Sequence, residues 1–196
     1  MSNPLLSSKI RKRSVWPYVS YTAPMTKREP GEPKNVLFRI KRGLSGYVSY
    51  LAACEMNASF SEYVLYEPIL RILTARGYSV QCEVECPGVE HRETGDRKRL
   101  DFVAKKGPAH FALEVKWAKF RSLNVENDYE KLAGFLASGG SPGRRAFLCV
   151  FGTERYIGDD LTLKPDRFTK VGKVWIAQFA VTRYGCRIFE AKSPTK

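Results

Sequence analysis

Two short stretches hold the residues best suited to chemistry, Arg99-Leu100-Asp101-Phe102-Val103-Ala104 and Phe111-Ala112-Leu113-Glu114-Val115-Lys116-Trp117. Both read as β-strands. In the second, Leu113, Val115 and Trp117 fall on one side and Ala112, Glu114 and Lys116 on the other, so a carboxylate and an ammonium share a face. Lys105-Lys106-Gly107-Pro108 reads as the turn between the strands, and a hairpin there brings Asp101 beside Glu114. Adjacent carboxylates repel each other, and a divalent cation offsets the repulsion. Two acids, water and a substrate phosphate suit magnesium, which keeps much of its hydration. Lys116 is then placed to face the phosphate or the attacking water. A lone Glu-x-Lys on a strand is ordinarily a solvated ion pair, and it is the neighbouring Asp101 strand and the helix before it that make these residues a candidate site.

The elements that must position them read as follows. Ser59-Phe60-Ser61-Glu62 has a capping-box pattern, and Leu65, Ile69, Ile72 and Leu73 continue a helix that Gly77 ends. Glu62, three residues before Leu65, lies near the core-facing stripe. Glu67 is turned about 140° from it, at about 100° per residue, and faces Arg71 as a surface pair. Pro68 leaves the start of this helix open. Residues 78–85 alternate as a strand, and the loop to residue 98 is rich in charge. Asn127 to Leu136 has an amphipathic helical pattern with Tyr129, Leu132, Phe135 and Leu136 inward, and the apolar run 146–151 suits a strand buried on both faces. Residues 173–181 and 186–191 add two strands with Tyr184-Gly185 as a turn, residues 36–42 read as a short strand, and 46–56 as a helix or strand over the core.

Asp101 followed on the next strand by Glu114-Val115-Lys116 resembles the core motif of the PD-(D/E)XK nuclease superfamily, with Leu100 where the motif carries its proline. The resemblance covers roughly residues 60–152. It implies an α/β fold with a restriction-endonuclease-like αβββαβ core, a central mixed β-sheet flanked by helices, and magnesium-dependent hydrolysis of phosphodiester bonds, with manganese able to substitute. By the same resemblance Asp101, Glu114 and the Val115 carbonyl hold the metal, and Lys116 positions the water or stabilises the transition state. The layout Ser61-Glu62, Leu65-Tyr66, Pro68-Ile69 and Gly77-Tyr78 resembles the first helix of several such families and selects Glu62 as the helix acid.

Charge points the same way. The chain carries +13, and residues 1–42, with ten Lys/Arg and two Glu, hold +8 of it. A polyanionic partner is expected, nucleic acid first and DNA ahead of RNA. Residues 1–35 read as a basic, Pro/Ser-rich arm and 36–196 as the nuclease-like domain. Arg11, Lys12 and Arg13 in the arm, and Arg97, Lys98, Arg99 and Lys119 near the acids, are the candidate phosphate contacts. A homodimer or larger nucleoprotein assembly is compatible with this. The five cysteines are irregularly spaced, against a disulfide framework, and Cys82-x3-Cys86 with His91 is too loosely spaced for a persuasive zinc site. Two histidines outside any nucleophile-base pattern give no support to a serine or cysteine triad. No bilayer-spanning run or signal-peptide core is visible, so a cytoplasmic protein is expected. Two rival readings are a catalytically inactive binding or assembly module with the same fold, and a ribonucleoprotein or phage structural component whose basic arm does the binding.

Overall fold

In a computed structural model of the chain, residues 33–87, 98–120, 122–139, 143–158, 160–177 and 181–194 are described. Helix α1 (Pro33–Ala53) buries Val36, Leu37, Ile40, Leu44 and Val48, an i, i+4 stripe with one adjacent member. The strand expected over 36–42 is therefore corrected to helix, and 46–56 continues it to Ala53. Seven residues hold too few turns for the 3.6 period to separate from alternation. The helix crosses the expected arm boundary at 35/36.

A 3-10 turn at Tyr63–Leu65 leads into α2 (Tyr66–Ala75). The capping box is not formed: the N-cap is Leu65 without a side-chain bond, and Glu62 precedes the helix. Pro68 explains the late start, because in the first turn its missing N–H forfeits no ladder bond. Strands β1 (Ser79–Glu85), β2 (Arg99–Lys106) and β3 (Ala109–Ala118) form an antiparallel meander, and α3 (Glu126–Ala137) crosses to β4 (Arg144–Thr153), parallel to β3. The hairpin turn between β2 and β3 is Gly107-Pro108, with Gly107 at φ 53°, as primed turns require. A single turn, α4 (Glu154–Ile157), precedes β5 (Phe168–Lys170), β6 (Trp175–Ile176) and β7 (Tyr184–Ala191).

The fold is thus mixed α/β: a mostly antiparallel open sheet of seven strands in the order β1-β2-β3-β4-β7-β5, with β6 also on β7. Helices α1 and α2 cover one face over Phe102, Phe111, Leu113, Val115, Phe147 and Phe151, while α3 and α4 cover the other over Leu100, Ala112, Leu148 and Val150. The central β4 is buried on both faces, as its apolar run predicts. Tyr184-Gly185 is not a turn but part of β7. Gly185 is required there by close approach, since a Cβ would lie 2.2 Å from the Trp175 carbonyl oxygen. Of the strand expected over 173–181, Trp175–Ile176 is extended and 178–180 lie outside the described residues.

Candidate active site

The β2–β3 ladder runs from Lys106↔Ala109 to Phe102↔Leu113 and then stops, although β3 continues beside β4 to Ala118. Beyond that point carboxylates replace the backbone partners. The Val115 amide donates to Asp101 Oδ2 at 2.7 Å, and the Asp101 amide donates to Glu114 Oε1 at 3.0 Å. One pair further on, the Trp117 amide donates to Glu62 Oε1 at 3.0 Å. Three acids therefore satisfy backbone donors where the two strands part, a requirement that buried N–H groups impose. Asp101 and Glu114 meet as the hairpin predicts. Glu62 meets β3 further along, at Trp117, and not beside Asp101 and Glu114: Phe60 packs on Trp117 and Tyr184, each at 5.3 Å between ring centroids, and fixes the segment that carries it.

Glu114 is 1% exposed. Burial, then the charge of Asp101, pushes its carboxyl up to about 8, against the pull of Lys131 and the Asp101 amide. Asp101 is also raised by burial, while the Tyr66 hydroxyl, donating to Oδ1 at 2.5 Å, and the Val115 amide hold it down. Tyr66 is in turn raised by burial and by the carboxylate it serves. On β1, pairing skips Glu83 opposite Asp101, and Glu83 stands at φ 53°, a left-handed conformation that costs a non-glycine residue of order 1 kcal/mol or more. Its charge adds to the upward shift of Asp101.

The cations are arranged differently from the sequence expectation. Lys131 of α3 contacts Glu114 Oε2 directly, donates to the Arg99 carbonyl at 3.1 Å, and lies 3.8 Å from Asp128 Oδ1. Lys116 instead pairs with Asp128 Oδ2 at 3.2 Å. Asp128 and Lys131 were not among the residues singled out by motif. The signal for Asp128 is its place on the inward stripe, four and seven residues before the buried Leu132 and Phe135. Beside Lys116 opens a cleft of about 330 Å³, lined also by Trp117, Lys119, Phe120, Asn127 and Asp128.

Of the candidate phosphate contacts, Lys119 is exposed and lines the cleft, Arg99 is exposed two residues before Asp101, and Lys98 donates to Glu130 at 2.6 Å. Arg11, Lys12, Arg13 and Arg97 lie outside the described residues. Glu67 is bound by Arg71 on the surface, Nε to Oε1 at 2.7 Å, as its spacing predicts. Cys82 and Cys86 are free, the first exposed and the second buried, and His91 lies outside the described residues. Among the described residues no three His, Cys, Asp or Glu side chains gather as a metal-binding group, and no helix is long and apolar enough to cross a membrane. Compared with known proteins, the chain gives no significant match to a family model, a curated protein or a solved structure.

Proposed function

We propose that this chain is a magnesium-dependent nuclease with a restriction-endonuclease-like core, hydrolysing phosphodiester bonds in nucleic acid and most readily in DNA. The observation that carries the reading is the reciprocal pair of bonds, Val115 amide to Asp101 and Asp101 amide to Glu114, which sets two carboxylates side by side where β2 and β3 part. The element order α2, β1, β2, β3, α3, β4 supports it. The donor set fits magnesium: carboxylate oxygens are hard ligands, and a divalent charge relieves the burial and repulsion that raise Glu114. With no third acid gathered, Asp101, Glu114, the Val115 carbonyl and water would hold the ion. Such an ion supplies a water of lowered pKa and neutralises charge on the phosphate.

The chain's own residues do the rest. Lys116, which lines the cleft, would present its ammonium to a phosphate or its attacking water once Asp128 releases it. Glu62 holds the Trp117 amide and with it the direction of the strand that carries Glu114 and Lys116. Lys119 and Arg99 offer exposed charge to the flanking backbone. The basic composition and the lack of a spanning run support a nucleic-acid partner and a cytoplasmic site of action, alone, as a homodimer or in a larger nucleoprotein assembly. A second reading, a binding module without turnover, is favoured by one observation: Lys131 already neutralises Glu114.

Plasmid DNA incubated with the full chain and magnesium should be nicked or linearised, and chelator should stop it. Asp101→Asn or Glu114→Gln should lower cleavage by roughly a thousandfold, about 4 kcal/mol of barrier, with DNA binding nearly intact. Unchanged cleavage in both variants would overturn the assignment, and binding without any cleavage would favour the second reading.

A further inference from the structure

We infer that the ammonium of Lys131 is a built-in counter-ion of the acid pair, standing where a divalent cation would act and competing with it for Glu114. The inference rests on the reading of Asp101 and Glu114 as metal ligands. Glu114 is 1% exposed with Asp101 against it, and a carboxylate so placed keeps its charge only beside a cation. Lys116, next but one in sequence, does not supply that cation, because its ammonium is on Asp128 and its side chain is 30% exposed. Lys131, 15% exposed and reaching in from α3, does.

The surroundings give Lys131 somewhere to go. Besides Glu114 it has the Arg99 carbonyl at 3.1 Å and Asp128 Oδ1 at 3.8 Å. A cation arriving at Glu114 displaces the ammonium toward these two acceptors, so the lysine stays partnered. Asp128 also holds Lys116 at 3.2 Å, and its two oxygens face the two lysines separately. As Lys131 moves onto Asp128, the hold on Lys116 weakens. Loading of the acid pair and release of Lys116 toward the cleft are thereby linked through one carboxylate.

The test measures stability and metal binding on the full chain, with no substrate present. In chelator at about pH 9, where Glu114 is ionised, Lys131→Met should lower the melting temperature by leaving that charge buried without its partner, and the double variant Lys131→Met/Glu114→Gln should recover most of that loss. A double variant no more stable than Lys131→Met would overturn the counter-ion role. With manganese followed by calorimetry, Lys131→Met should bind about tenfold tighter or more, since a competing positive charge is gone. Lys131→Arg, which keeps the charge, should stay close to the wild type, while Lys116→Met, which frees Asp128 for the displaced ammonium, should tighten binding by less than Lys131→Met does. Equal or weaker manganese binding by Lys131→Met, where the wild type binds, would overturn the competition while leaving the acids as ligands. Binding by neither protein would overturn both readings. If Lys131→Met does not fold in chelator, folding rescued by Glu114→Gln supports the counter-ion role, and failure of that rescue counts against it.

Discussion

The two ends of the β2–β3 hairpin are built from the same strands and solve the same problem in opposite ways. At the turn end the backbones satisfy each other, pair by pair, from Lys106↔Ala109 to Phe102↔Leu113. The side chains there are free to pack, and Phe111 is fully buried with Tyr78 at 5.5 Å and Phe147 at 5.8 Å between ring centroids. At the open end the strands separate, and Asp101, Glu114 and Glu62 take over as acceptors for amides of Asp101, Val115 and Trp117. Backbone pairing makes the first end stable without charge. Carboxylates make the second end chemically capable, but they bring in charge that burial penalises, and Lys131 is the offset. The contrast shows how one hairpin can be scaffold at one end and carry the candidate site at the other.

The sharpest way to break the comparison is to cut into the turn end. Phe111→Ala removes a fully buried ring and should cost about 3–5 kcal/mol of folding stability, read by denaturant unfolding. A loss under about 1 kcal/mol would mean that the turn end is not the scaffold.

A smaller effect is expected from pH, and only at the open end. Glu114 binds its proton more tightly folded than unfolded, so the stability it contributes is fully present below its ordinary 4.5 and is lost as pH climbs through about 8. Lys131, pulled down by burial but raised overall by Glu114, stays protonated across that window and does not cancel the slope. In chelator the wild type should therefore melt lower at pH 8 than at pH 5, and Glu114→Gln should flatten the dependence. A wild-type profile rising with pH, with Glu114→Gln unchanged from it, would contradict the sign.

The smallest effect separates two glutamates five residues apart. Glu62→Gln keeps one acceptor for the Trp117 amide but loses charge, and should lower cleavage roughly tenfold, while Glu67→Gln should leave cleavage unchanged and cost about 0.3–0.5 kcal/mol through its pair with Arg71. Equal effects in a cleavage assay would remove Glu62 from the site.

By itself, the sequence determined the local geometry here. A strand over 99–104 and period-two alternation at 111–117, with a polar turn over 105–108 between, placed Asp101 beside Glu114, and i, i+4 spacing placed Glu67 against Arg71. Inward apolar residues such as Leu132 and Phe135 were likewise legible, because each helix turn or strand step dictates its own facing. What the tertiary structure alone decided lies at long range. Helix 33–53 looked like a strand over seven residues, because its buried stripe only emerges against the sheet it covers. Glu62 came to the Trp117 amide not through helical phase but because Phe60 docks on Trp117 and Tyr184, residues 57 and 124 positions away. Above all, which lysine serves Glu114 was set by the parallel β3–α3–β4 crossing, which lays α3 over the open end of the hairpin. A motif read along one strand names the lysine next to the acid in sequence. Electrostatics acts across space, and in the folded chain the cation on Glu114 is Lys131.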